Sequence, residues 1–178
     1  MLFALSMTIL YIAFWFAMHF GIGTLIPALP EKLRRKWFNC EKPLFRVSSR
    51  EMNFFRRIRL PKWKDRLPQN GHGFDKRHLP GKINADYLKK FIFITCQAEV
   101  IHYLIAVFGF LSLFFCFCFR KPRKKIPLLF GAAVLLGLCN FPFAMIQRYN
   151  RFRLEKTLEK FPQGKVLEKQ EQGESSLK

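Results

Sequence analysis

Long stretches without charged side chains are the feature of this sequence that most limits its fold. Residues 2–26 contain no Asp, Glu, Lys or Arg, and residues 126–147 contain none either. Between them, residues 91–119 contain a single charged side chain, that of Glu99. A helix rises about 1.5 Å per residue, so each stretch can cross the roughly 30 Å hydrocarbon core of a bilayer. We therefore predict an all-α integral membrane protein with about three hydrophobic helices, an N-terminal anchor and a C-terminal helical hairpin.

The segments outside these stretches are strongly basic. Residues 31–90 contain 18 Lys and Arg against 6 Asp and Glu, and the whole chain has a net charge of +19. Nucleic-acid-binding proteins have similar charges, but here the basic residues flank apolar stretches, which is typical of the positive-inside rule and of attraction to anionic lipids. We predict a basic interfacial or cytoplasmic segment at 31–90, a basic juxtamembrane helix at 148–162 and a disordered tail at 163–178. The predicted partners are membrane lipids and not nucleic acid.

The distribution of basic residues predicts the topology of a multi-pass protein of the cell membrane. Three crossings place the turn at 120–125 opposite both 31–90 and the C-terminal segment, which together contain 26 of the 31 Lys and Arg. By the positive-inside rule, 31–90 and the C-terminus are then cytoplasmic. The five basic residues of the turn oppose this orientation, unless the hairpin is re-entrant. The stretch at 91–119 can be one long tilted helix, or an interfacial helix followed by a crossing.

Glu99 and His102 are the candidate catalytic residues. They are three residues apart in otherwise apolar sequence, so they share a face of a helix. A carboxyl group in hydrocarbon must be neutral, paired with a cation or in contact with water, and a Glu/His pair meets this condition. The pair also has the composition of a general base and its orienting group. In the alternative interpretation Glu99 pairs with an arginine of the basic segment; we favour catalysis because ionisable residues inside membranes are usually functional.

No metal site is predicted. The spacing Glu-x-x-His suits a metal when a second such pair is present, and this chain has none. The five cysteines show no metal-binding spacing, and we assign no chemistry to them.

A group of hydrogen-bond donors lies near the end of the third apolar stretch. Asn140 and Pro142 interrupt its second half, and Gln147, Arg148 and Asn150 come where it ends. Arginine makes two-point contacts with phosphate, and such polar donors suit sugar hydroxyls. The alternative is an arginine collar that only fixes the depth of the helix. We predict that the two asparagines, the glutamine and Arg148 contact substrate.

Four motifs add a resemblance to a known family. They are KWKDRLP at 62–68, KRHLPGKIN at 76–84, QAEVIHY at 97–103 and NFPFAMIQRYNRFRL at 140–154. In order, spacing and polar residues they resemble the glycosyl-diaponeurosporenoate acyltransferases. These small membrane enzymes complete staphyloxanthin synthesis by esterifying the sugar of a glycosylated carotenoid acid with a fatty acyl group. The resemblance covers about half the chain. Residues 1–61 match the family only in being a hydrophobic anchor followed by a basic segment.

The resemblance implies a membrane O-acyltransferase. It would move a fatty acyl group from acyl-CoA or another acyl thioester to a sugar hydroxyl of a glycosylated carotenoid or related glycolipid, with no cofactor besides this co-substrate. His102 would take the hydroxyl proton while Glu99 holds its ring, and Arg148 would meet phosphates of the donor. Asp65 or His78 could supply the base instead. Further substrate contacts would come from the first two motifs, through Lys62, Trp63, Lys64, Asp65, Arg77 and His78.

A non-enzymatic membrane subunit is the alternative function. In that case Glu99 and Arg148 would form an intramembrane ion pair that holds the chain to an assembly partner. The sequence leaves the oligomeric state open, and a homo-oligomer is compatible with either function.

Overall fold

The computed structural model describes residues 2–67, 82–119 and 121–160, together with the backbone of 167–168. Arg77, His78 and, apart from that short backbone segment, the predicted disordered tail lie outside the described residues.

The described part of the chain is almost entirely helical. In chain order the α-helices are α1 (Leu2–Ala28), α2 (Glu31–Trp37), α3 (Ser49–Arg57), α4 (Leu60–Trp63), α5 (Ala85–Phe108), α6 (Pro122–Leu138) and α7 (Phe141–Glu159). Short 3-10 helices occupy Pro43–Phe45 and Lys64–Arg66, and a longer one, Gly109–Cys118, continues α5. Two-residue strands, β1 (Lys82–Ile83) and β2 (Leu167–Glu168), pair antiparallel.

Three helical stretches are long and apolar enough to cross a membrane. They are Leu2–Ala28, Ala85–Cys118 and Arg123–Glu159. Large apolar side chains on their outer surfaces are exposed, among them Phe16 at 60% and Phe117 at 71%, as expected where lipid rather than water is the solvent. The prediction of an all-α membrane protein with three hydrophobic helices is confirmed.

Local sequence explains where these helices begin and break. The Asn84 side chain accepts a hydrogen bond from the Tyr87 amide at 2.8 Å and so caps the first turn of α5. The third stretch is interrupted at Cys139 and Asn140, and α7 begins at Phe141 with Pro142 in its first turn. Proline is favoured there because the first amides of a helix have no partner within it. Of the predicted juxtamembrane helix at 148–162, residues 148–159 form the second half of α7.

Contacts between the helices define two ends of the bundle. The rings of Phe3 and Phe119 meet at 5.8 Å, so the start of α1 lies beside the turn that precedes α6; we call this the turn end. At the opposite end, the last part of α1 packs through Ile26 against a cluster that contains Phe38 and Phe45. The turn and the basic segment thus lie at opposite ends, which is the relative placement that three crossings predict.

Residues 31–67, which we call the cap, cover this second end. The Ser48 hydroxyl accepts a hydrogen bond from the Glu51 amide and starts α3. The apolar side chains that join the cap to α7 are Met52, Phe55 and Leu60 on the cap side and Ile146 and Tyr149 on the helix. The cap is therefore part of the folded core, and it lies directly over the contact between α5 and α7.

Candidate active site

Glu99 is completely buried between α5 and α7. Its Oε1 accepts a hydrogen bond from Nη1 of Arg148 at 2.7 Å, and its Oε2 accepts one from Nη2 of Arg151 at 2.5 Å. The two arginines are three residues apart on α7 and therefore share a face of that helix. Both carboxylate oxygens of Glu99 are thus held by guanidinium groups.

All five N–H donors of Arg148 have acceptors. Nε and Nη2 hold the two carboxylate oxygens of Glu51, from α3. Nη1 also donates to the carbonyl of Leu44, and Nη2 to that of Arg46, both at 2.9 Å. Since a guanidinium has five such donors, Arg148 is fully occupied. It ties the cap to Glu99 in the centre of the helix contact.

Arg151 is also completely buried. Its Nε donates to the Phe45 carbonyl at 2.9 Å, and its guanidinium lies over the Phe45 ring at 5.4 Å. Its Nη1 lies 3.7 Å from Sγ of Cys96 on α5. Arg151 therefore makes a second link between the cap and the two long helices.

The four charged groups form one balanced network of two carboxylates, Glu51 and Glu99, and two guanidiniums, Arg148 and Arg151. Burying an unpaired charge costs several kcal/mol, which a network of paired and hydrogen-bonded charges avoids. Because the network has no net charge, the free-energy cost of burying Glu99 and Arg151 is reduced. Removing one of these side chains would leave another buried charge without a partner of opposite sign.

His102 lies on α5, one turn further into the bundle than Glu99. Its Nδ1 is 3.3 Å from Oδ1 of Asn140, at the break between α6 and α7. The ring stacks on Phe143 with centroids 5.1 Å apart. The Asn140 amide is itself oriented, because its Nδ2 donates to the Leu136 carbonyl at 3.1 Å. Oδ1 therefore faces His102, and the tautomer with its proton on Nδ1 can donate to this oxygen.

This geometry differs from the contact expected between the two candidate catalytic residues. The carboxylate of Glu99 is held by arginines, and the Nδ1 of His102 is held by an amide. Glu99 does pair with arginines, as in the alternative interpretation, but these arginines lie on α7 and not in the basic segment at 31–90. The catalytic roles of Glu99 and His102 stay predictions.

Asn150 and Gln147 lie on the part of α7 nearest the cap, and both are buried. The Asn150 Nδ2 has no hydrogen-bond partner within the described ranges. Asn140 and Asn150 are ten residues apart, so they are separated by about 15 Å along the helix. A molecule that reaches both must be elongated.

The KWKD residues of the first motif lie next to α7 at the edge of the cap. Trp63 packs on the cluster around Ile146 and donates from Nε1 to the Ile58 carbonyl at 3.1 Å. Lys64 is buried and pairs with Asp65 at 2.5 Å. Lys62 is exposed. The fold thus brings the first, third and fourth motifs together.

A disulfide joins the cap to α5. It links Cys40 and Cys96, whose Cα atoms are 6.1 Å apart, while Cys116, Cys118 and Cys139 are free thiols. The pairing of Cys40 with Cys96 was not predicted, because 56 positions separate them. The bond lies beside the charged network through the contact of Cys96 with Arg151.

Two members of the network, Glu51 and Arg151, were not among the predicted site residues. Arg151 could have been found from its spacing, since it lies one turn after Arg148 and would face the same buried carboxylate. Glu51 could not, because it is 97 residues from Arg148 and looks like one of many exposed acids. Within the described ranges there is no group of three or more His, Cys, Asp or Glu that could hold a metal.

Comparison with known proteins gives the family. Residues 34–160 match the family model for glycosyl-4,4'-diaponeurosporenoate acyltransferase. The enzyme of that name from Staphylococcus aureus strain USA300 is 30% identical over 154 residues, with 82% of this chain and 84% of the relative covered. That of the bovine strain RF122 / ET3-1 is 31% identical over 159 residues, with the same coverage. No solved structure matches.

The family match also extends the window of resemblance. It begins at residue 34 and so includes most of the cap, with Glu51, in addition to the four motifs at 62–154. The predicted family and enzyme class are confirmed: the chain belongs to the glycosyl-4,4'-diaponeurosporenoate acyltransferase family and is an acyltransferase.

Proposed function

We propose that this acyltransferase moves a fatty acyl group from an acyl thioester to a sugar hydroxyl of a glycosylated carotenoid or a related glycolipid. The names of the relatives support the acceptor class. The observation that carries the mechanism is the orientation of His102 by Asn140 at the break in the third membrane stretch. Polar backbone at such a depth is tolerated where it is buried or lines a cavity.

His102 is the proposed general base. With Nδ1–H donated to Asn140, the neutral ring has its lone pair on Nε2. Nε2 takes the proton of the sugar hydroxyl while the hydroxyl oxygen bonds to the thioester carbonyl carbon. The resulting tetrahedral intermediate loses its C–S bond, and the imidazolium gives the proton to the departing thiolate. The products are the sugar ester and a free thiol.

Asn140 has a different role in this mechanism from the substrate contact predicted for it. Its Oδ1 fixes the tautomer and direction of the His102 ring, and the Leu136 carbonyl fixes the amide. We regard it as a positioning residue. Glu99 and Arg148 are also positioning residues in this proposal, because their polar atoms are occupied by one another and by the cap.

Substrate contact is proposed for polar side chains of α7 and of the first motif. The buried Nδ2 of Asn150, which has no partner among the described residues, suits a hydroxyl or carbonyl oxygen of the substrate. Gln147 lies one turn before it. The exposed Lys62 suits a phosphate of the donor, with Trp63, Lys64 and Asp65 beside it. The same contact by Arg148 would require it to break one of its five hydrogen bonds. For Arg77 and His78 the predicted contacts are kept as part of the proposal.

The proposed acyl donor is consistent with the proposed orientation of the chain in the membrane. We propose a cell-membrane enzyme whose cap and C-terminus face the cytoplasm, with membrane lipids and the glycolipid as its partners and no cofactor besides the thioester. Acyl-CoA is a cytoplasmic donor, and the proposed phosphate contacts are at the cap end. In the alternative, a non-enzymatic subunit is held to an assembly partner by an ion pair of Glu99 with Arg148. The proposal of an enzyme is preferred because this pair forms inside one chain.

The direct test uses the purified full chain in liposomes with a radiolabelled acyl-CoA. Three acceptors are compared: a glycosylated carotenoid acid, a glycolipid without a carotenoid, and the free sugar. We expect one acyl ester and one free thiol per turnover with the first acceptor. Thiol release without ester formation, or no ester with any acceptor, would contradict the proposal. In cells, deletion of the gene should remove the ester and accumulate the deacylated glycolipid.

A further inference from the structure

A groove of about 300 Å³ separates α1 from α6 at the turn end, remote from the cap. Its walls are apolar, and the residues that define them include Ala4, Met7, Tyr11, Phe115, Leu128 and Ala132. The stretch from Ala4 to Tyr11 corresponds to a depth of about 10 Å along α1. At its inner end the Tyr11 hydroxyl contacts that of Ser112 at 3.3 Å. The volume is at the lower limit of small-molecule sites, about 300–1,000 Å³, so it suits one acyl chain.

Three lysines form the mouth of this groove. Lys125 lies in its wall, and its Nζ is 5.4 Å from the centroid of the Phe119 ring. An adjoining recess, also bounded by Phe119 and Lys125, adds Lys121 and Lys124. An ammonium over an aromatic face is held in place at the edge of the apolar wall.

No carboxylate of the surrounding segments balances these lysines. Neither residues 1–30 nor residues 100–154, which build this end, contain Asp or Glu. The described acidic side chains lie in the cap, near the start of α5, in the charged network or near the end of α7. Within the part of the chain that the structure describes, the positive charge at the turn end is therefore not balanced by a neighbouring carboxylate, which favours an anion from outside the chain.

We infer that this lysine-rimmed groove binds an anionic phospholipid of the bilayer, with one acyl chain between α1 and α6 and the phosphate among Lys121, Lys124 and Lys125. The apolar walls and the cationic mouth match the two parts of such a lipid. The mouth lies at the end of the apolar stretches, which is where a headgroup is expected. This also accounts for the basic turn at 120–125, which opposed the orientation predicted by charge counting. Its lysines bind a lipid headgroup and do not determine topology.

The inference is tested on the purified full chain in uncharged detergent by native mass spectrometry. Phosphatidylglycerol and phosphatidylcholine with identical acyl chains are added in turn, and glycerol phosphate serves as a headgroup without chains. We expect phosphatidylglycerol to be retained at least about tenfold better than phosphatidylcholine, since each lysine near an anionic headgroup contributes about a fivefold factor. Glycerol phosphate should not compete.

Two variants and a matched control locate the site. K121Q/K124Q/K125Q should remove the preference, and Ala132→Trp, which fills the groove, should lower retention of phosphatidylglycerol by a similar factor. K32Q/K36Q/R50Q removes three exposed basic residues of the cap and should retain the preference. Equal retention of both lipids by the wild type, a preference that survives the lysine substitutions, or unchanged retention by Ala132→Trp would each overturn the inference. So would retention of a fatty acid or acyl thioester in place of the phospholipid.

Discussion

At the scale of single residues, the burial of Glu99 has a clear physical basis. A lone carboxylate at this depth would be costly, but Glu99 lies in a network with a second carboxylate and two guanidiniums. Glu99 therefore connects the cap, α5 and α7 through its ion pairs. The sequence showed that Glu99 required a partner, and it left open whether that partner was His102 or an arginine.

The network predicts that Glu99→Gln destabilises the fold. The substitution keeps the size of the side chain but leaves the buried Arg151 without a countercharge, at a cost of about 3–5 kcal/mol. The thermal unfolding midpoint in detergent measures this. Glu31→Gln is the control, because its ion pair with Arg35 is exposed, and its midpoint should stay at the wild-type value. Equal midpoints for wild type and Glu99→Gln would show that the network does not stabilise the chain.

The contact between His102 and Asn140 predicts unequal effects for two substitutions of similar size. Asn140→Asp keeps an acceptor for Nδ1–H, whereas Asn140→Leu removes it. We expect kcat to fall about 10–100-fold in Asn140→Leu, the range typical for loss of an orienting partner, and less in Asn140→Asp. KM should be unchanged in both. A rise in KM without loss of kcat would instead support the substrate contact that the sequence predicted for Asn140.

At the scale of elements, the packing of α1 depends on one glycine. Trp15 is buried against the 3-10 helix that continues α5, and a Cβ added at Gly109 would lie 2.2 Å from Cη2 of Trp15. The indole thus occupies the space that a side chain would need. This contact, in the middle of the bundle, fixes how closely the N-terminal helix approaches the second membrane stretch.

Gly109→Ala is therefore expected to displace Trp15 and lower stability by about 1–3 kcal/mol, the usual cost of overpacking. Gly131→Ala on α6 is the matched control, since a Cβ there meets no heavy atom within 4 Å. It should be neutral or slightly stabilising, because Ala is the better helix former. Thermal unfolding of both variants in the same detergent compares them. If both behave alike, the Trp15 contact does not position α1.

The elements also show what could be predicted from sequence. The absence of charge is a local property, so the membrane stretches could be predicted directly from the sequence. The break at Asn140 was indicated by Pro142, although not that α7 would continue from there to Glu159. The contact of α3 with α7 could not be predicted, because Glu51 and Arg148 are 97 positions apart and their contact depends on how the chain between them folds. The roles of Glu51 and Cys40 could not be predicted either, because their partners are also distant in the sequence.

At the scale of the whole molecule, the disulfide and the charge distribution give opposite indications of orientation. Charge counting places the cap in the cytoplasm. Disulfides persist in oxidising compartments and are rare in the cytosol. The positions of Cys40 and Cys96 allow the bond, but the compartment decides whether it exists in the cell.

Thiol labelling of acid-quenched cells tests the orientation. With a cytoplasmic cap, we expect all five cysteines of the denatured chain to be alkylated without reductant, and only Cys116, Cys118 and Cys139 after air oxidation of the purified protein. Oxidation should also stabilise the protein by about 4 kcal/mol, from closure of a loop of this length. Three labelled cysteines in quenched cells would place the cap on the oxidising side and contradict the proposed orientation.

The central claim for the molecule is that a base between two membrane stretches, His102, activates a sugar hydroxyl for acylation. The most direct measurement is the rate of acyl transfer by His102→Gln, with His19→Gln as the control. His19 is also a membrane histidine, but its Nδ1 lies 2.8 Å from the Trp15 carbonyl in α1. We predict that kcat of His102→Gln falls about 10²–10⁴-fold at an unchanged unfolding midpoint, while His19→Gln keeps the wild-type rate. A correctly folded His102→Gln variant that forms the ester at the wild-type rate would contradict the claim.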